Sequence, residues 1–240
     1  YRGLESSFFG AHFILDGSLN EDALDKLVIA QIRGAIGSWA LPYDNVRFPD
    51  SCFDETLEDC IFEQSDLASL KELRDSCSEG AVFLTNHRFS NLFLIRLLER
   101  INFNFVTFAN DGACFSQTIG NPDHLFCSSI FSDAEAVKKL RDLRQSKKVI
   151  LTMTDPVYGG ETYVHRDDDR SLCLDMHGLR IGKALRLPVY FLSLHWDCMI
   201  GRFRINATRN EAQDMKESAE SYVRSLKQDW LSCIEIERGI

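Results

Sequence analysis

Short apolar runs with the pattern of buried strands alternate with helical segments through the middle of the chain. Residues 81–85 predict a strand, residues 91–98 predict a helix with little polar surface, and residues 103–108 predict a further strand. The later predicted elements are strands over 124–128, 148–152, 161–165 and 188–195, helices over 133–145, 175–187 and 210–236, and an edge or hairpin strand over 202–207. Such alternation is typical of α/β domains. We therefore expect an α/β fold in which a mixed, largely parallel sheet is flanked by helices.

No linker rich in Pro, Gly or Ser interrupts the 240 residues, so the sequence predicts a single domain over 1–240. We expect an N-terminal helical segment over about 1–78, in which helical patterns open at Asn20 and Ser65. A central α/β core is expected over about 79–207. A C-terminal helix is expected over about 208–236.

The amino-acid composition indicates which binding partners and which cellular compartment suit this chain. The chain has 27 Lys and Arg against 36 Asp and Glu, a net charge of −9, which disfavours a nucleic-acid binder because such proteins need cations to meet phosphates. None of the 8 cysteines forms a CxxC pair, so we expect neither a zinc ribbon nor a thioredoxin motif. Scattered cysteines suit a reducing cytoplasm, and no metal-binding residues are predicted. The 17 Phe residues favour a hydrophobic interior or a hydrophobic ligand.

Polar side chains that follow predicted strands are the best candidates for chemistry, because α/β sheets bind ligands beyond the carboxyl ends of their strands. Such groups are Asn86 with His87, Asp155, and the stretch 195–197. His87 is the strongest candidate, since a neutral imidazole before a helix could take a proton from an attacking hydroxyl or amine. The alternative is a histidine that only caps its turn.

The segment from Gly80 to Asn91 resembles the strand, turn and helix that carry a His-x4-acid motif in the lysophospholipid acyltransferase superfamily. The similarity is closest to the lipid A biosynthesis acyltransferase branch. Segments 147–155, 161–165 and 175–189 are similar to later strands and a helix of that family, so the resemblance spans roughly residues 78–206.

This resemblance implies an acyltransferase-like fold and acyl transfer from a thioester donor, either acyl carrier protein or coenzyme A. The acceptor would be a hydroxyl or amine of a small molecule or lipid, and His87 would be the general base. No cofactor is implied beyond the acyl-thioester co-substrate, and peripheral membrane contact stays open. Candidate substrate-binding residues are Arg88, Phe89, Arg166 and Asp111.

The motif departs from the family at one position, because Leu92 stands five residues after His87 where the family has an acid. Asn91 is the nearest polar residue, and it could orient an imidazole without stabilising its cation. Asp155 and Asp111 are the candidates to supply the acid. The competing interpretation is a non-catalytic, acyltransferase-like binding or scaffold protein.

Other groupings carry weaker signals. The charged run 165–170 could bind a divalent cation, but a solvated loop is the preferred interpretation. Arg166 of that run could instead meet a phosphate of a lipid, coenzyme A or carrier arm. Asp175 and His177 are expected on a helix, where residues two apart do not face each other. Cys114 near His124 is expected to be a buried cysteine rather than a nucleophile.

Overall fold

The computed structural model describes residues 62–85, 91–109, 125–127, 133–154, 162–167, 170–197, 202–212 and 214–225. In chain order, the elements of this part are α1 (Gln64–Ser76), β1 (Ala81–Thr85), α2 (Asn91–Arg100), β2 (Phe105–Ala109), β3 (Leu125–Cys127), α3 (Asp133–Gln145), β4 (Val149–Met153), β5 (Thr162–Asp167), β6 (Arg170–Asp175), α4 (His177–Leu185), β7 (Val189–Asp197), β8 (Arg202–Arg209) and a helix over 215–225, here α5.

Six of the strands form one sheet in the order β3-β2-β4-β1-β7-β8. Neighbouring strands run parallel from β3 to β7, and only the edge strand β8 pairs antiparallel, with β7. The predicted α/β architecture with a mixed, largely parallel sheet flanked by helices is therefore confirmed. Strands β5 and β6 form a separate antiparallel pair.

The central strand β1 is buried along its whole length, and its side chains alternate between two apolar layers. Val82 and Leu84 belong to the layer that packs against α4 and α5. Ala81 and Phe83 belong to the layer that packs against α1 and α2. The sheet is thus covered on both faces, which explains why its strands are continuous apolar runs in the sequence.

Helix α4 lies unusually close to the sheet because glycines stand at two of its contact positions. A Cβ atom at Gly178 would lie 2.3 Å from Leu84 Cδ2 and 2.4 Å from Thr152 Cγ2. A Cβ atom at Gly182 would lie 2.4 Å from Val189 Cγ2. All three separations are far below ordinary carbon–carbon contact. The absence of side chains at these two positions therefore brings the start of α4 against β1 and β4.

A partly buried ion pair joins α1 to the edge strand β8. Asp66 accepts hydrogen bonds from Arg204 Nε at 2.7 Å and from the backbone N–H of Ile205 at 2.9 Å. Beside it, the rings of Phe62 and Phe203 pack with their centroids 5.9 Å apart. These contacts join residues 62–76, which precede the sheet in sequence, to its edge strand.

Two helices begin later than the sequence predicts. Helix α5 starts after Asp214, whose carboxylate caps it by accepting the N–H of Glu217 at 2.8 Å. Asn210, the predicted start, still follows the strand, because its N–H donates to the Val189 carbonyl. Helix α4 starts at His177 rather than Asp175, which is the last residue of β6.

Some predictions concern parts of the chain outside the described ranges. The helix expected from Asn20 and the far end of the predicted C-terminal helix lie there, so the single-domain division stays a prediction. Among the helices in the described ranges, none is both long and apolar enough to cross a bilayer. The cytoplasmic compartment also stays a prediction.

Candidate active site

The carboxyl ends of β1 and β4 lie side by side at the centre of the sheet. Thr85, the last residue of β1, stands opposite Met153, the last residue of β4. Thr154 joins the two ends, since its backbone N–H and its hydroxyl both donate to the Thr85 carbonyl, at 2.9 and 3.2 Å. The chain segments that follow these two strands therefore leave the sheet at neighbouring points.

The site residues expected from sequence fall mostly beyond the described ranges. His87, Arg88, Phe89, Asp111 and Asp155 lie outside them. Asn91 is the first residue of α2, and Arg166 lies in β5 opposite Ser171. The structure thus describes the strands that lead to His87 and Asp155, and leaves those two side chains as predictions.

A hydrogen-bonded chain of Asp175, His177 and Thr152 lies at this same edge. The Asp175 carboxylate accepts His177 Nδ1–H at 2.6 Å and the His177 backbone N–H at 2.9 Å. On the other side of the ring, His177 Nε2 lies 2.6 Å from Thr152 Oγ1. Asp175 is itself held at the edge, because its N–H donates to the Thr154 carbonyl at 2.7 Å.

This arrangement corrects the expectation that Asp175 and His177 face apart on a helix. Asp175 ends β6, Met176 caps the helix, and His177 is the first residue of α4. The carboxylate can therefore fold back over the first turn of α4. Alternation over 170–175 in the sequence, with Leu172 and Leu174 apolar, is the signal that could have ended the strand at Asp175.

The chemistry open to His177 follows from its two partners. When the ring is neutral and Nδ1–H donates to the Asp175 carboxylate, Nε2 is an acceptor to which the Thr152 hydroxyl can donate. The His177 side chain is 35% exposed, whereas that of Asp175 is 11% exposed and Thr152 is fully buried. The ring can therefore meet a ligand, but the Thr152 hydroxyl lies beneath it and is a poor candidate for a nucleophile.

Further hydroxyl groups line the carboxyl edge. The Thr154 hydroxyl lies 2.8 Å from the Tyr222 hydroxyl of α5, and both residues are buried. Within the described ranges, the buried hydroxyls of Thr85, in β1, and Ser193, in β7, make no hydrogen bond. An unpaired buried hydroxyl is unfavourable by about 1–3 kcal/mol, and the Thr107 hydroxyl of β2 is a further case within the described ranges.

Among the described residues, the titratable groups with a shifted pKa lie away from this edge. Burial raises the pKa of the Cys77 thiol, which follows α1. Burial, with the neighbouring Cys77 adding to it, also raises the pKa of Tyr190 near the start of β7. A buried neutral thiol is a poor nucleophile. Cys114, the cysteine weighed in the sequence, lies outside the described ranges.

Four residues of the charged run 165–170 lie in paired strands rather than in a loop, and Asp168 and Asp169 lie outside the described ranges. Arg166 and Asp167 belong to β5, and Arg170 opens β6 opposite Asp167. In the part of the chain that the structure describes, no three His, Cys, Asp or Glu side chains gather where they could hold a metal ion. The described residues therefore give no support to the divalent-cation alternative.

Comparisons with known proteins add no relative from which a role could be transferred. No family model matches the chain, and no curated protein matches it. The function of the carboxyl edge therefore has to be argued from the residues of this chain.

Proposed function

We propose that the chain is an acyltransferase that works at the carboxyl edge of β1 and β4. It would move a fatty or other acyl group from a thioester of acyl carrier protein or coenzyme A to a hydroxyl or amine acceptor. The observation that carries the proposal is the junction of these two strands, because His87 follows one strand by two residues and Asp155 follows the other by two. The acyltransferase-like character of the fold belongs to the same proposal.

His87 is the proposed general base. It would remove the proton from the acceptor, whose oxygen or nitrogen then bonds to the thioester carbonyl carbon. The tetrahedral intermediate would collapse with cleavage of the carbon–sulfur bond, and the departing thiolate would take up a proton. Free N–H groups at the start of α2 could stabilise the negative oxygen of that intermediate.

Asp155 is the proposed partner that replaces the missing acid of the motif. Leu92 is the second residue of α2 and cannot carry charge. Asp155 instead directly follows Thr154, whose N–H donates to the carbonyl of Thr85 at the end of β1. A carboxylate from that direction could stabilise the imidazolium that forms during proton transfer. Asn91 at the start of α2 and Asp111 are the remaining candidates for orienting the ring.

The test is turnover of acyl thioesters followed by mass spectrometry, with carrier-loaded and coenzyme A donors supplied in parallel. Loss of general-base catalysis in His87→Ala should lower the rate by about 10²–10⁴-fold in a protein that stays folded. Asp155→Asn should lower the rate with little change in donor binding. His177→Gln is the matched control, because it removes the other imidazole at this edge.

Three outcomes would contradict the proposal in different ways. Full activity of folded His87→Ala, combined with loss in His177→Gln, would transfer the role of base to His177. Unchanged turnover in Asp155→Asn would exclude that residue as the acid. Saturable binding of acyl thioesters without turnover would favour the non-catalytic binding module, which the replacement of the acid by Leu92 also favours.

A further inference from the structure

A cavity of about 620 Å³ opens at the opposite, amino edge of the sheet. Gly80 and Pro188 line it directly before β1 and β7 begin, and the ends of α3 and α4 complete its walls. Strand β1 has five residues, so about 16 Å of strand separates this cavity from the carboxyl edge. Its volume falls within the range that suits a small-molecule ligand.

The side chains around the cavity are mainly cationic. Arg141 and Arg144 come from the last turns of α3, Lys147 follows that helix, and Arg186 follows α4. Glu79 is the one carboxylate among the lining residues, and it is bound to Lys147 with Nζ and Oε1 2.5 Å apart. Among the residues that the structure describes, none pairs with the guanidinium groups of Arg141, Arg144 or Arg186.

The helix ends at this edge offset only part of the positive charge. The carboxyl ends of α3 and α4 both face this edge, and each carries the equivalent of about half a negative charge. Together they offset about one of the three arginines, and Glu79 already neutralises Lys147. A net positive charge therefore remains at one edge of a chain whose total is −9.

Apart from Gln145, the other side chains of the lining are apolar, which narrows the class of ligand further. Leu185, Leu187 and Pro188 lie between the cationic side chains of the two helix ends. Guanidinium groups match the geometry of phosphate oxygens and can bind them through paired hydrogen bonds. An anion with an attached hydrocarbon chain would satisfy both parts of the lining.

We propose that this cavity is a binding site for a phosphate monoester that carries an apolar chain. The phosphate would meet Arg144, Arg186 and Arg141, and the chain would lie on Leu187 and Pro188. The same chemistry is offered by a soluble alkyl phosphate and by the headgroup of an anionic lipid. The proposal does not depend on acyl transfer at the carboxyl edge, since no residue is shared.

The soluble source is tested by calorimetric titration of the full chain with hexyl phosphate, with inorganic phosphate as the comparison. We expect saturable binding of hexyl phosphate that is tighter than that of inorganic phosphate and that weakens as salt is raised. Arg144→Gln and Arg186→Gln should each weaken binding about tenfold. Lys139→Gln, an exposed residue of α3 outside the cavity, changes the net charge equally and should leave binding unchanged.

The lipid source is tested by sedimentation with phosphatidylcholine vesicles that contain or lack phosphatidic acid. Binding that needs phosphatidic acid and is lost in Arg186→Gln, without binding of hexyl phosphate, would assign the cavity to a lipid headgroup. No saturable binding of either probe up to about 10 mM phosphate would overturn the proposal. Equal loss of affinity in Lys139→Gln would also overturn it, because the effect would then follow net charge alone.

Discussion

Replacing Gly178 with alanine tests whether the close approach of α4 holds the edge of the sheet together. The new methyl group would lie 2.3 Å from Leu84 Cδ2 and 2.4 Å from Thr152 Cγ2, about 1 Å or more inside normal contact. Thr152 cannot rotate away without losing His177, because its hydroxyl lies 2.6 Å from Nε2. The helix itself must therefore move outward by about 1 Å.

A shift of that size would stretch the His177–Thr152 separation to about 3.6 Å, beyond hydrogen-bonding distance. Overpacking of a core costs about 1–3 kcal/mol, and alanine regains about 1 kcal/mol of helix propensity. We therefore expect Gly178→Ala to lower the free energy of unfolding by up to about 2 kcal/mol, whereas helix propensity alone would raise it by about 1 kcal/mol. The assay is urea unfolding followed by circular dichroism, with imidazole NMR of His177 to detect loss of the hydrogen bond.

Two further variants test whether the contact of Gly178 with the sheet holds α4 in place. Ala184→Gly, at an exposed position of the same helix, measures the propensity difference without a clash. Thr152→Ser removes the clashing methyl but keeps the hydroxyl, so it should partly rescue Gly178→Ala in the double variant. A Gly178→Ala protein that is more stable than the wild type by the propensity difference, or an absence of rescue by Thr152→Ser, would show that the helix is not held by this contact.

Three further predictions concern other parts of the structure. Asp66→Asn should lower the free energy of unfolding by about 1–3 kcal/mol in urea, because it weakens the bonds to Arg204 and to the Ile205 N–H; exposed Asp75→Asn is the control and should change little. Tyr222→Phe should lower it by about 1 kcal/mol by removing the bond to Thr154, and no change would mean that this bond contributes nothing. The free energy of unfolding, measured from pH 7 to 10.5, should be constant below pH 9.0, the ordinary pKa of the Cys77 thiol, and should decline above it. The reason is that burial raises this pKa in the folded protein, so the unfolded chain loses its proton first. The decline should be smaller in Cys77→Ala.

Much of the architecture could be predicted because the sheet is covered on both faces. A strand such as 81–85 is then a continuous apolar run, and its parallel neighbours are separated by helices with a clear 3.6-residue period. The helix over 133–145 was predicted with its observed bounds for that reason. The sequence was less informative at 170–175, because β6 begins within the charged run 165–170, whose composition resembles that of a loop.

The start of α4 shows why the candidate site was harder to predict. Asp175 and His177 are two residues apart, and their contact depends on a strand ending at one and a helix beginning at the other. Element boundaries are the least certain part of a sequence-based prediction, because the local pattern changes little across them. Thr152 is 25 residues away in sequence and reaches His177 only through the close packing allowed by Gly178.

His177, observed at the carboxyl edge, and His87, proposed there, differ in the groups that orient their rings. His177 has a carboxylate on one nitrogen and a hydroxyl on the other, so its orientation is fixed before any ligand arrives. His87 lacks the acid that its motif would supply at Leu92, and the proposal gives it Asp155 instead. If His87 is the base, Asp175→Asn should leave turnover nearly unchanged while it loosens the start of α4. If Asp175→Asn lowers turnover as far as His177→Gln does, Asp175 and His177 are the catalytic pair. A purely structural role of Asp175 would reduce stability without a matching loss of rate.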